Sequence, residues 1–384
     1  MTILPNDADV WVLAGQSNMA GSGGGAPYET PSEQVFLFNL QDEWQIAEEP
    51  FGLHRYEAKD DAFAFMRFDY RNGCLTDPDY RARRAPQHRA GLLATQSQSG
   101  LGLAFGKAIS AYTGRPAGLI YCAKGDTRMN EWAPDYAGHP YMALYQATIR
   151  RINAAGRRLA GILWYQGESD TFDEQGTVYA HAMRKLATAF QRDTGQADLP
   201  LLYVQIATCV LQTEEELPEW NLVQETQRQL ETELTPGGMV AAIDLPLCDG
   251  IHLSTLGQQR LGRRLAKLAR AVVYQDATLQ AGPHPIAVER DAHDPCRLTV
   301  RYAGVNGQLL PADRVAGYSL YAPGSERNIV CTALVAGAAT VHVHAYTAIP
   351  PDSRLWYGKG LMPFCNLVDG EDLAAPVFGP WVVP

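Results

Sequence analysis

The sequence predicts an α/β fold with a mostly parallel sheet, followed by a smaller all-β module, and three observations carry that expectation. Short apolar, β-branched runs alternate with longer amphipathic stretches through roughly the first 275 residues, the pattern of βα units. After Gln280 the texture changes to Pro-punctuated alternating runs such as RLTVRYAG, GYSLYAPG and ATVHVHAY, which read as short strands joined by turns. The chain has 384 residues, more than one domain of roughly 150 needs. The expected division is 1–278 for the α/β domain and 279–384 for the β domain.

Taken in order, the strands are expected at 10–14, 117–122, 161–165, 201–206 and 240–243. Helical periodicity appears at 101–112, 141–154, 178–193, 219–233 and 255–271, so each strand feeds a helix. Between Trp44 and Gln98 lies a stretch with no clean period, rich in Arg, Asp and aromatics. An irregular insertion of that length reads as a disordered loop or as a wall of a binding site, and its aromatic content favours the wall.

Composition excludes several classes of function. Acidic residues outnumber basic ones 42 to 32, so the surface repels phosphate backbones and nucleic acid is a poor partner. No basic stretch followed by an apolar one opens the chain, and no segment approaches 18 uninterrupted apolar residues, so neither export nor a membrane span is expected. Seven scattered cysteines, none in a CxxC pair, argue against a disulfide framework and a zinc knuckle and fit a reducing cytoplasm.

Four turns carry the chemistry. The first strand runs into Gly15-Gln16-Ser17-Asn18-Met19-Ala20-Gly21, which puts Ser17 at a strand-to-helix turn where backbone N–H groups converge, as a nucleophile or a simple cap. In Cys248-Asp249-Gly250-Ile251-His252, the D-x-x-H spacing lets Asp249 accept from one imidazole nitrogen while the other faces a serine. The alternative is a surface histidine in a loop before a helix capped by Ser254 or Thr255. Gly125, in Lys124-Gly125-Asp126-Thr127, offers an unhindered N–H, and Gln166, in Trp164-Tyr165-Gln166-Gly167-Glu168-Ser169-Asp170, offers a side-chain amide; both suit a developing oxyanion. Ligands in open α/β sheets sit beyond the carboxyl ends of the strands, where all four turns fall.

These blocks resemble SGNH hydrolases, in the branch of sialate O-acetylesterases and carbohydrate esterase family 6. Ser17 in GQSNMAG, Gly125 in KGDT followed by Trp132, Gln166 in WYQGESD and Asp249 with His252 in DGIHLS carry the resemblance. HLSTLGQQRLGRRLAKLA and the closing WYGKGLMPFCNLVDGEDLAAPVFGP extend it over most of the chain. It implies a three-layer α/β/α, flavodoxin-like domain with a small C-terminal β domain. It also implies a Ser17 nucleophile, His252 as general base and then acid, and Asp249 orienting His252. The oxyanion hole would be the N–H groups of Ser17 and Gly125 with the Gln166 amide. The implied reaction removes acetyl groups from sugar hydroxyls through an acetyl-enzyme, on an acetylated sugar or oligosaccharide, with no metal or organic cofactor. Two rivals are a carbohydrate-binding protein on the same scaffold and a lipase or thioesterase with another acyl preference.

Gln16, Asn18, Asp126, Trp132 and Glu168 are the further candidates for contact with the site. Trp132 reads as a sugar-stacking or a core residue, and Glu168 as a rival to Asp249, which is favoured for its short distance in sequence from His252. The family's usual second glycine is Asp126 here, and its R-x-A-Q arginine is Gln224; both changes lean toward a neutral sugar and away from sialate. His342 and His344 share one face of a strand, more simply through alternation than as metal ligands. The cluster Arg81, Arg83, Arg84 and Arg89 reads as a solvated loop or an anion grip, and Cys248 as a buried thiol.

Overall fold

The structure, a computed structural model, describes residues 3–383 apart from 26, 54, 56–57, 65–67, 70–73, 76–89, 91–97 and 326. The strands of the first half are β1 (Asp9–Gly15), β2 (Val35–Phe38), β3 (Trp44–Ile46), a ribbon of β4 (Phe68–Asp69) and β5 (Cys74–Leu75), β6 (Ala117–Ala123), β7 (Leu159–Tyr165), β8 (Leu201–Gln205) and β9 (Gly237–Ala241). The helices are α1 (Ser17–Ala20), α2 (Gly102–Thr113), α3 (Leu144–Ala155), α4 (Gln175–Thr194), α5 (Trp220–Leu230) and α6 (Thr255–Val272).

Strands β1, β6, β7 and β8 are almost wholly buried along their length, because helices cover both faces of the sheet. Among the described residues the central sheet runs β3-β2-β6-β1-β7-β8-β9, and each neighbouring pair is parallel except β2 with β3. Helices α2 and α6 pack together on one side, and α3, α4 and α5 form a contiguous group on the other. Gly262 makes the α2–α6 crossing close, since a Cβ there would strike the Leu101 carbonyl oxygen and Phe105 N. Helices α2, α3 and α4 each end on a left-handed glycine, at Gly114, Gly156 and Gly195.

The expected α/β/α arrangement is thus present, with two additions and one shift. Strands β2 and β3 were not anticipated: Val35–Phe38 is a four-residue apolar run with no alternation to mark it, and β3 is only three residues long. Strand β9 begins at Gly237, earlier than the apolar run suggests. Gly237 and Gly238 read as turn residues, yet they pair with Leu201 and Leu202 of β8.

Beyond α6 the chain forms two four-stranded antiparallel sheets. One has the order β10 (His284–Arg290), β11 (Arg297–Ala303), β15 (Thr340–Ala345), β14 (Cys331–Gly337); the other has β13 (Asn328–Ile329), β12 (Tyr318–Tyr321), β16 (Arg354–Tyr357), β17 (Phe378–Val382). Val300, Val341 and Val343 from the first and Leu320, Leu355 and Phe378 from the second enter one core, which also takes in Ala241 and Ile243 from the end of β9. Polar fastenings join the halves as well. Gln205 exchanges two hydrogen bonds with the Val377 backbone, at 2.8 and 2.9 Å, and buried Arg264 of α6 pairs with Asp244 and donates to the Asp372 carbonyl.

The rings of His342 and His344 lie on one face of β15 with centroids 6.0 Å apart. Among the described residues no group of three or more His, Cys, Asp or Glu could hold a metal ion, and no helix is long and apolar enough to cross a membrane. The cluster Arg81, Arg83, Arg84 and Arg89 lies outside the described residues.

Gly15 closes β1 at φ 137°, and a Cβ there would overlap the Tyr165 carbonyl oxygen of β7. Gly15→Ala is expected to destabilise the protein by about 3 kcal/mol or more, a loss that chemical denaturation would measure.

Candidate active site

All four turns read from the sequence lie at the carboxyl ends of parallel strands. Gln16 N donates to Tyr165 O at 2.9 Å and Lys124 N donates to Gly15 O at 3.0 Å, which locks the end of β1 between β6 and β7. Ser17 then opens the one-turn helix α1. It is half-buried, and its hydroxyl has no hydrogen-bond partner among the described residues. Gly125 packs directly on it: a Cβ built at Gly125 would lie 3.4 Å from Ser17 Cβ. Neither the Ser17 nor the Gly125 N–H has an acceptor among the described residues, so both are free to meet an anion.

The turn after β9 carries Asp249 and His252. Its backbone is pinned by a bond from Cys248 N to His252 O at 2.9 Å, and Ser254 caps α6 by accepting Gly257 N at 3.2 Å. Asp249 Oδ1 accepts the N–H groups of Ile251 and His252 at 2.8 and 2.7 Å, while its Oδ2 lies 2.7 Å from His252 Nδ1. Partial burial pushes the Asp249 carboxyl up, but these donors outweigh it and hold the group below its ordinary value. These contacts keep Asp249 a carboxylate beside His252 Nδ1.

Asn18, the residue after the serine, ties that turn to β1. Its Oδ1 accepts Leu253 N at 3.0 Å and its Nδ2 donates to Ile251 O at 3.3 Å. The same Nδ2 donates to Glu168 Oε1 at 2.8 Å. Glu168 is buried and faces Asn18, so the structure joins His252 to Asp249 and not to Glu168. Burial raises the Glu168 pKa against the opposing influence of Asn18 and of nearby His252.

Several expected contacts take other places. Trp132 is a core residue: it is fully buried, edge-on to Trp164 at 5.0 Å, and unavailable to stack on a sugar. Its Nε1 donates to Thr127 Oγ1 at 3.1 Å, which in turn donates to Lys124 O at 2.9 Å, so it braces the Gly125 loop from below. Gln166, the expected third oxyanion donor, is also buried under that loop. Its Nε2 donates to Thr127 O at 3.0 Å and to Asp170, which engages both N–H groups. Asp170 also accepts Met129 N, and burial raises its pKa to about 6. Cys248 is exposed, not buried, because the turn that presents Asp249 carries it into solvent. Its pKa is nonetheless raised, by partial desolvation and by Asp249. Gln224 is buried and donates to Ile206 O and Ala207 O, so its identity says nothing of charge near the serine.

Asp126 is exposed beside Gly125 in a left-handed conformation. Gln16 reaches across to the loop after β7 and accepts Gly167 N at 3.3 Å. Of the 44–98 insertion, Arg55 donates to Tyr121 Oη at 2.7 Å and to Ala20 O at 3.3 Å, beside α1; most of the expected wall lies outside the described residues. Sequence reasoning did not single out Thr127 or Asp170, whose roles depend on contacts made only after folding.

A family model for carbohydrate esterases, described as sialic acid-specific acetylesterase, matches residues 7–271. The chain belongs to this family. It is accordingly a carbohydrate esterase of the serine hydrolase type that acts on an acetylated carbohydrate. A probable carbohydrate esterase of Arabidopsis thaliana is 27% identical over 285 residues, which span 69% of this chain and 90% of that protein. The fold is similar to that of a carbohydrate acetylesterase from Xanthomonas citri, at 22% identity and a TM-score of 0.70 over 97% of this chain and 81% of that one. It is also similar to a solved protein from Arabidopsis thaliana, at 24% identity and a TM-score of 0.51 over 70% of this chain and all of that one.

Asp249→Asn is expected to lower kcat by about 10²-fold or more, and Glu168→Gln by less than about tenfold. Steady-state kinetics on one acetyl ester would compare them, and the reverse order would move the orienting role to Glu168.

Proposed function

We propose that Ser17, His252 and Asp249 remove acetyl groups from the hydroxyls of a neutral sugar. Ser17 Oγ attacks the acetyl carbonyl while His252 Nε2 takes its proton, and Asp249 stabilises the resulting imidazolium through Nδ1. The N–H groups of Ser17 and Gly125 receive the oxyanion. Collapse of the tetrahedral intermediate breaks the bond to the sugar oxygen, which leaves with the proton from His252. Water, deprotonated by His252, then attacks the acetyl carbonyl, and His252 returns that proton to Ser17 Oγ as acetate leaves. Gln166 serves this step by holding Thr127, and so the Gly125 N–H, in place.

The observation that carries this reading is the junction of the Asp249–His252 pair to the serine turn through Asn18. The preference for a neutral sugar rests on Asp126 and Asp249, two exposed carboxylates beside Gly125 and His252. Two described cations of the Gly125 loop, Arg128 and Lys124, are already engaged. Arg128 is engaged by Asp173 at 3.2 Å and by the Phe172 ring at 4.3 Å. Lys124 Nζ donates to Tyr141 O at 2.8 Å, and burial lowers its pKa to about 8.

Ser17→Ala, matched to the parent protein by circular dichroism, is expected to lose activity on a chromogenic acetyl ester by about 10³-fold or more. Activity indifferent to Ser17 would reject the mechanism. In a comparison of acetylated xylose and glucose with 9-O-acetylated sialic acid, kcat/KM is expected to favour the neutral sugars. Asp126→Asn is expected to shift that ratio toward sialate by about threefold, as removal of one exposed like charge allows. Efficient cleavage of the sialate by the parent protein would overturn the preference.

A further inference from the structure

The contact between His252 and Asp249 fixes the imidazole ring but not the place where the ring stands. Both residues ride on one turn, three positions apart, and would move together if that turn shifted relative to β1. Something attached to the serine has to hold the turn. Asn18 is covalently next to Ser17, and its one amide grasps the peptide groups on both sides of His252, Ile251 O at 3.3 Å and Leu253 N at 3.0 Å. Gln258 of α6 adds a bond to Asn18 O at 3.0 Å, which fastens the following helix to the same residue.

That grip works in one orientation of the amide only, with Nδ2 toward Ile251 and Oδ1 toward Leu253. Glu168 selects it, because its Oε1 takes the Nδ2 donor at 2.8 Å. Asn18 is fully buried and Glu168 nearly so, and Glu168 Oε2 has no hydrogen-bond partner among the described residues. A buried carboxyl half-satisfied in this way has no evident benefit to stability, since an apolar side chain would avoid its desolvation. Its side-chain hydrogen bond goes to Asn18, the residue that holds the histidine's turn.

We propose that Asn18, oriented by Glu168, is the positioning residue that sets His252 against Ser17. The proposal rests on the roles given to Ser17 and His252 above. Its test uses the full chain, a chromogenic acetyl ester and a fluorophosphonate, whose capture by Ser17 needs an activated hydroxyl but no sugar. Asn18→Asp keeps an acceptor for Leu253 N, loses the donor to Ile251 O, and sets two carboxyls face to face. Both kcat and the rate of capture are expected to fall about 10²-fold, with KM within about twofold, as a small misplacement of the base requires. Adding Glu168→Gln returns a donor to the pair, and the double variant is expected to recover about tenfold of the loss. Capture by Asn18→Asp at the parent rate, or a folded double variant no faster than Asn18→Asp, would overturn the proposal. Should Asn18→Asp fail to fold, Asn18→Ser carries the same comparison without a buried charge: slow capture at unchanged KM supports the role, and parental capture rejects it. A parent protein that neither hydrolyses the ester nor is captured would instead reject the esterase mechanism itself.

Discussion

Strand β1 reaches the centre of the sheet with no room for a side chain at its last residue. The Tyr165 carbonyl fills the space beside Gly15, and the backbone leaves at a positive φ that only glycine adopts readily. Because the strand ends this way, Ser17 emerges between the loops that follow β6 and β7 instead of above one of them. Its buried neighbours then reach to either side, Gln16 toward Gly167 and Asn18 toward the turn of His252. Gly125 meets the serine for the same reason, packed directly against the Ser17 side chain. The chemistry is thus a consequence of how tightly three strand ends are drawn together.

Much of this was legible in the sequence where the signal is local. A strand followed by Gly-x-Ser, and an aspartate three residues before a histidine, place their groups by short backbone geometry, and the Asp249–His252 pair forms as that spacing suggests. The same holds for the apolar strands β1, β6, β7 and β8, whose burial on both faces writes itself as unbroken runs. Residues whose roles depend on burial were harder to read. Trp132 follows the Gly125 loop in sequence, but its ring turns inward to meet Trp164 across 32 positions. Cys248 looks like a core thiol beside an apolar strand, but the turn lifts it into solvent. Gln166 looks like a donor at the strand end, and Thr127 and Asp170 claim its amide from elsewhere in the chain.

Support for the site is layered. Thr127 takes bonds from Trp132 and Gln166, and Gln227 donates to the Gln166 carbonyl at 3.0 Å while accepting Ile206 N at 3.0 Å. Side chains from α5 and the loops therefore reach the Gly125 loop through one buried intermediate. In such a network each donor has its acceptor fixed, and the loss of one leaves another unpaired in a region without water to replace it.

The way the two halves meet bears on what counts as a unit. The texture of the sequence changes near position 279, and every residue of the proposed site precedes it. Yet Ala241 and Ile243 lie in the core of the β module, the Val377 backbone completes Gln205, and Arg264 is satisfied partly by the Asp372 carbonyl. A chain ended at that change of texture would be complete as chemistry and unfinished as a surface, with two apolar side chains, a buried amide and a guanidinium all opened to water. Exchange of the β module between relatives would therefore have to carry its half of this seam with it, and the heritable module is larger than the visible one.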